Sequence, residues 1–363
     1  MGRAVLVGDI GGTNARLRLM CPGTRSRSRQ LKGGMSEKAG GGVEPLTSGE
    51  VLHAATVPRE DHETFESALR SFLSTAAACA PAVEVSSACF AVAGMVKENH
   101  CAMTNCPWVL SGAGVAEEFG IGRVAVINDF EAVGYGVAAI IGDESPGKSV
   151  YTLLNGEPEQ RAPVLVLGPG TGLGVAQLFH DNARESYTVM PSEGGHADFA
   201  PRTDEQRELQ AWVQSQLGYC EVESLLSGVG LERMYSFFAK GDEAEAACIS
   251  AAAIAALEAG GAPSNSDVDV AAATRAVRTF LYVLGASAGN LSLTTLAQGG
   301  VFIAGGITTK LWAVAEAHGD IERGFLHEEC RYNGVLKKMP LKVINEGCDI
   351  GLLGAQNFAC NYI

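Results

Sequence analysis

The stretch AVLVGDIGGTNARLRL, residues 4–19, runs from an apolar segment through a glycine turn into residues that alternate in polarity. Ala4 to Val7 form the continuous apolar run of a buried strand, and Leu17 and Leu19 alternate with Arg16 and Arg18 in a second strand. A β-hairpin is therefore expected, in place of a strand leading into a helix. Gly11 and Gly12 at the turn can take positive φ and present backbone N–H groups without Cβ interference, as a phosphate cradle requires. Thr13 and Asn14 add side-chain donors. Asp9 repels phosphate, but a carboxylate beside phosphates is placed to hold Mg²⁺ directly or through water. Without a ligand, the same residues are simply a tight hairpin.

A second stretch, VLVLGPGTGLGVAQLF at residues 164–179, repeats the pattern. Gly168, Gly170, Gly172 and Gly174 surround Thr171, more glycine than a turn needs, at an entropic cost that function would explain. Two such hairpins imply duplicated α/β units facing a cleft that holds a nucleotide polyphosphate. The chain of 363 residues, 47% hydrophobic, has enough apolar material for two domains. Its formal charge of −14, from 41 acidic against 27 basic side chains, disfavours nucleic acid or an anionic membrane as a partner. Ten scattered cysteines without a signal-peptide pattern imply reduced thiols and a cytoplasmic location. Neither Cys101 with Cys106 nor His327 with Cys330 has the spacing of a zinc site, and none is expected.

Residues 21–50 are polar, glycine-rich and locally basic without interleaved aromatics, which reads as a solvated insertion. Phe65, Ala68, Leu69, Phe72, Leu73 and Ala76 fall at helical spacing before the strand SSACFAVAG, which ends at Gly94. The strand VAVIN ends at Asn128-Asp129 and leads into the helical segment EAVGYGVAAI. Leu209, Trp212, Val213 and Leu217 mark a further helix ending at Gly218. Residues 243–258 and 270–297 read as long alanine-rich helices, and VFIAGGI as a strand entering a glycine pair. Alternating strands and helices indicate an α/β chain.

Two other phosphate motifs compete. Gly142 to Ser149 spells a Walker A pattern, but Asp143 and Glu144 put negative charge where phosphates would sit, and the flanking segments have the wrong elements. The glycines of the second hairpin recur every two residues, so they do not complete the dinucleotide frame G-x-G-x-x-G.

Asn128-Asp129 closes a strand, and strand ends of α/β folds face ligand crevices. A carboxylate there can orient a sugar hydroxyl and accept its proton during phosphoryl transfer. Asp129 is equally suited to cap the following helix. In PSEGGHAD, Glu193 and His196 are held by two glycines in a compact loop and can hydrogen-bond sugar hydroxyls. The glycine pair argues against reading Glu-x-x-His as half of a helical di-metal site. Glu223 and Asn105 are weaker candidates taken singly.

GDIGGTNARL, FAVAG, AMTNCPW, VINDFEAVGYG, GPGTGLGVA, SEGGHADFAP, ESLLSGVGL and GGVFIAGGI occur in the order seen in bacterial-type glucokinases. From residue 4 to about residue 354 the chain resembles the ATP-dependent group that lacks the zinc-binding cysteine motif of repressor-type sugar kinases. The resemblance implies the two-domain hexokinase/actin-like ATPase fold, ribonuclease H-like in each half, with a duplicated phosphate-binding hairpin. It implies a small domain, residues 1–139 completed by 345–363 and carrying an insertion at 21–56, and a large domain, residues 140–344. Asp129 is then the base, and Asn105, Asn128, Asp129, Glu193, His196 and Glu223 bind glucose. ATP is held by Gly8, Asp9, Ile10, Gly11, Gly12, Thr13 and Asn14, by the second hairpin, and by Gly305 and Gly306 against the adenosine, with Mg²⁺ on Asp9 through water. A homodimer follows from the same resemblance. The alternatives are a kinase for another hexose or an amino sugar, and a sugar-sensing regulator of the same fold. Such regulators carry a helix-turn-helix domain before the first strand, which only a few residues precede here, and the net charge disfavours DNA, so the regulator is not the expected reading.

Overall fold

The computed structural model describes residues 2–21, 49–79, 83–103, 106–141, 149–260, 268–345 and 347–363. Most of the polar stretch 21–50, the Walker-like residues 142–148, the loop 261–267 and Asn105 lie outside the described residues. The first part of the chain forms β1 (Gly2–Ile10), β2 (Asn14–Met20), β3 (Val51–Pro58), α1 (Phe65–Cys79), β4 (Val83–Val92), β5 (His100–Ala102), β6 (Val109–Ser111), α2 (Gly112–Phe119), β7 (Arg123–Asn128) and α3 (Asp129–Ile140). There follow β8 (Val150–Leu154), β9 (Val164–Pro169), β10 (Leu173–Asp181), β11 (Ser186–Ser192), α4 (Asp204–Leu217), α5 (Gly228–Phe238), α6 (Ala246–Glu258) and α7 (Val270–Thr295). The chain ends with β12 (Gly300–Ile303), α8 (Gly306–Lys310), α9 (Trp312–His318), α10 (Asp320–Phe325), α11 (Asn333–Leu336), β13 (Leu341–Ile344) and α12 (Ile350–Asn361). Among the described residues no helix is long and apolar enough to cross a membrane.

Two compact units result: residues 1–146 with 180–189 and 349–363, and residues 147–179 with 190–348. In the first, the sheet order is β3-β2-β1-β4-β7. β1 and β2 form the expected antiparallel hairpin, and β1, β4 and β7 run parallel. Ile10 pairs with Val92 and Val92 with Asn128, so all three parallel strands end at one edge. The core of this unit gathers Leu6, Phe65, Phe90 and Trp108, each almost fully buried, with Phe65 meeting Phe90 edge-on at 5.0 Å.

The second unit repeats the plan. Its sheet order is β11-β10-β9-β12-β13-β8, with β9 and β10 antiparallel and β9, β12 and β13 parallel. Strand for strand, β9-β10-β11 corresponds to β1-β2-β3, and β12 and β13 to β4 and β7. The apolar runs 164–167 and 301–303 are fully buried, and α7 covers that sheet with Phe280, Leu281 and Leu284.

Several boundaries differ from the sequence expectation. The insertion drawn through residue 56 stops earlier, because Val51–Pro58 pairs along β2 and closes the sheet edge. α7 ends at Thr295, short of residue 297, because Leu296 turns into the left-handed region at φ 49° and Ala297 folds into the core. The strand before Gly94 ends at Val92, where its pairing with β7 stops at Asn128.

α3 and α12 pack closely in the first unit. Tyr135 meets Phe358 and Tyr362 edge-on, and Asn357 Nδ2 donates to the Tyr135 carbonyl at 2.8 Å. Gly354 of α12 lies so near the Ala132 carbonyl that a Cβ there would overlap it. Gly354→Ala is therefore expected to cost about 1–3 kcal/mol, the usual price of overpacking. A fall in the urea midpoint with unchanged slope would show it, and an unchanged midpoint would show that α12 can stand off α3.

Candidate functional site

In the first unit the candidate residues converge on the carboxyl ends of β1, β4 and β7. Asn128 has extended backbone, and its Oδ1 accepts from the N–H groups of Phe130 at 2.9 Å and Glu131 at 3.2 Å. The N-cap role weighed for Asp129 therefore falls to Asn128, which is the half-in residue preceding the helix. Asn128 Nδ2 also donates to the Gly94 carbonyl at 3.1 Å, tying the helix start to the segment after β4. Asp129 becomes the first helical residue, half-buried, with Oδ1 accepting from Phe130 N–H at 2.8 Å. Burial pushes its carboxyl above the usual range; the Phe130 N–H opposes this, and the nearby Asp9 carboxylate adds to it.

The hairpin register sets Asp9 opposite Arg16, and the two form an ion pair. Arg16 also reaches Asp349 at 3.2 Å, and Arg18 bonds Asp349 at 2.6 Å, which joins the hairpin to the start of α12. Gly11 N–H donates to the Asn14 carbonyl at 2.9 Å, and the Thr13 carbonyl accepts from Arg59 N–H at 2.9 Å. Gly8 lies within β1, where a Cβ would press on the side chains of Leu17 and Phe90.

The second unit builds its part around the second hairpin. Gly170 N–H donates to the Gly172 carbonyl at 2.7 Å, and the Gly170 carbonyl accepts from Gly228 N–H at 2.9 Å. Gly168 and Gly174 lie opposite each other in the strand ladder, away from the turn. Glu223 Oε2 accepts from Leu173 N–H at 2.7 Å, and a Cβ on Gly172 would sit 2.5 Å from that oxygen. Gly172 thus makes room for Glu223. Gly11 and Gly12, read as able to take positive φ, are absent from the positive-φ set, as are the glycines of the second hairpin. Gly305, at φ 97°, does need that freedom, since it lies against the Pro169 carbonyl at the end of β9. Gly170 and Gly306 face open space.

Gly194–His196 is a 3₁₀ turn, as compact as the glycine pair suggested. Gly195 fits because its missing Cβ would meet the Leu173 carbonyl. Glu193 points into solvent, and its Oε2 is 3.8 Å from His196 Nε2. His196 Nδ1 lies 3.1 Å from Glu221 Oε1. That bond raises the imidazole pKa, partly offset by burial and reinforced by Glu223 and Glu193. His196, Glu221 and Glu223 offer ligand atoms within 4.8 Å of one another. Nδ1 is engaged by Glu221, and Glu223 Oε2 by Leu173 N–H, which makes this a hydrogen-bonded cluster.

Sequence reading missed Glu221. Its signal was the alternation Glu221-Val222-Glu223, in which buried Val222 forces both carboxylates onto the opposite face. Arg16 was also missed as the partner of Asp9, although a hairpin centred on Gly12-Thr13 sets them opposite each other.

The sequence profile of the family described as Glucokinase matches residues 6–362. A glucokinase of Yersinia pestis is 32% identical over 350 residues, covering 96% of this chain and 94% of that protein. The crystal structure of a glucokinase from an Antarctic psychrotroph superposes with a TM-score of 0.75 at 25% identity, covering 99% of each chain. A ROK family glucokinase from Streptomyces griseus, solved with glucose and AMPPNP, has a TM-score of 0.56 at 17% identity over 98% of this chain and 99% of that one. The fold is that of the two-domain hexokinase/actin-like ATPases.

The raised pKa of Asp129 carries a stability consequence. Ionised Asp129 is disfavoured in the folded state, so its contribution is fully present only below the ordinary carboxylate pKa and is lost as pH rises through the folded value. Asp129→Asn, which keeps the Oδ1 acceptor, is expected to melt at higher temperature than wild type near pH 7. The difference should shrink as pH falls below about 4 in thermal melts followed by circular dichroism.

Proposed function

The chain belongs to the glucokinase family, and from that premise we propose that it transfers the γ-phosphoryl group of ATP to the 6-hydroxyl of glucose with Asp129 as the base. The observation that carries this reading is the half-buried Asp129 carboxylate at the edge where β1, β4 and β7 end, with its pKa lifted by burial. A carboxylate so placed is a stronger base than one in water. The 6-hydroxyl gives its proton to Asp129 as its oxygen bonds to the γ-phosphorus. The bond from that phosphorus to the β,γ-bridging oxygen breaks, and ADP leaves with the electron pair.

The remaining roles are those that the family resemblance implies, and the chemistry of the groups suits them. Asn105, Asn128, Glu193, His196 and Glu223 bind the sugar hydroxyls; the bond from Leu173 N–H holds Glu223 in one orientation, which favours a fixed pattern of acceptors. The residues Gly8 to Asn14 and Gly168 to Gly174 hold the ATP phosphates, for which the open flank of Gly170 leaves room. Gly305 and Gly306 hold the adenosine; the open side of Gly306 suits an approaching base. Asp9, an oxygen donor whose Oδ2 is engaged by Arg16, holds Mg²⁺ through water, and the ion when bound offsets phosphate charge. The ten free cysteines suit a cytoplasmic protein, and the family resemblance favours a homodimer.

Asp129→Ala is expected to lower kcat by about 10²- to 10⁴-fold while glucose still binds by calorimetry. A coupled assay with ATP and Mg²⁺ against glucose, mannose, fructose and N-acetylglucosamine tests the acceptor. Near-normal kcat in the variant would sink the base, and activity confined to the amino sugar would sink glucose.

A further inference from the structure

We infer that Glu221 is a positioning residue for the sugar site: it fixes the tautomer and charge of His196, so that the imidazole meets the sugar as an Nε2–H donor. This rests on the proposed reading of His196 as a sugar ligand. Glu221 is not in that ligand set, and the geometry points to its role.

The two side chains are held together by backbone as well as by their own bond. Phe199 N–H donates to the Cys220 carbonyl at 3.0 Å, Val222 N–H to Ala197 at 2.9 Å and Glu223 N–H to Gly195 at 2.8 Å. This short ladder, with Asp198 bridged to Glu221, lays residues 195–199 beside 220–223. Glu221 is mostly shielded, with 21% of its side chain exposed, and its Oε1 lies 3.1 Å from His196 Nδ1. An ionised carboxylate only accepts, so Nδ1 must carry the hydrogen, and Nε2 is the atom left for the sugar.

The charged groups facing the ring are Glu221 and Glu223 from the 220–223 segment and Glu193 from the start of the 3₁₀ turn. All three are acids, and all favour the imidazolium. A protonated ring donates a charge-assisted bond from Nε2 to a sugar oxygen, whereas a neutral ring with Nδ1–H can only accept there. KM for glucose should therefore be lowest where His196 is charged and should rise as pH increases through its titration.

Glu221→Gln keeps an acceptor for Nδ1 and removes the charge. Its expected effect is a KM for glucose raised about threefold to tenfold near neutral pH, the worth of part of one charge-assisted hydrogen bond, with kcat changed less than about twofold and the KM–pH profile displaced to lower pH. The His196 resonance, assigned in labelled protein by its loss in His196→Gln, should titrate at lower pH in the same variant. Glu221→Asp should recover part of the wild-type profile, which a purely structural defect would not allow. Superposable KM–pH profiles and His196 titrations in wild type and Glu221→Gln would overturn the inference while leaving the sugar site standing. An unchanged KM in His196→Gln would instead overturn the sugar-ligand reading itself.

Discussion

The Asn128 side chain closes the amino end of α3 by taking up the Phe130 and Glu131 N–H groups, and its amide nitrogen ties that end to the Gly94 carbonyl. Asp129 stands one residue further on, so the same cap that starts the helix aims its carboxylate. The helix cannot drift along its axis. At its far side Tyr135 is locked by Phe358, Tyr362 and Asn357 of α12, and Gly354 lets the two backbones touch. Two packed helices hold the Asp129 carboxylate in one orientation more reliably than a loop would, as the proposed role of a base requires.

Duplication of one sheet plan explains why two glycine hairpins exist, but the glycines within them serve different ends. Gly8 and Gly172 are small because neighbours occupy the space, Leu17 and Phe90 in one unit and the Glu223 carboxylate in the other. Gly168 and Gly174 face each other in the ladder, and Gly170 flanks open space. The hairpin turn and the Glu223 carboxylate are thereby linked within the second unit: the residue that must be glycine at 172 is set by the acid at 223. A larger side chain at 172 would displace a proposed sugar ligand without touching the sugar.

Charge is handled differently in the two units. Asp9 is balanced by Arg16, which shares Asp349 with Arg18, so the acid whose charge raises the Asp129 pKa does not act unopposed. Around His196 no such cation is found among the groups that shift it, and three carboxylates favour its protonated form. One acid is thus tuned toward basicity by burial, and one imidazole toward positive charge by its neighbours.

Both hairpins, the α/β class, the helices marked by the stripes Phe65 to Ala76 and Leu209 to Leu217, and the placement of Asp129 at a strand end were legible in the sequence, because they depend on local periodicity and turn chemistry. The paired motifs also led to the family. What could not be read locally depends on contacts between segments far apart in the chain. The strand Val51–Pro58 needed β2 to pair with it, and the end of α7 needed a core position for Ala297. Glu221 is the clearest case: its alternation with Val222 and Glu223 marks a shared face, but only the ladder between residues 195–199 and 220–223 brings its oxygen to His196. Local pattern determines which elements form, since it acts within a few residues. Which side chains meet is decided by tertiary packing, since burial and backbone pairing hold distant residues at hydrogen-bond range.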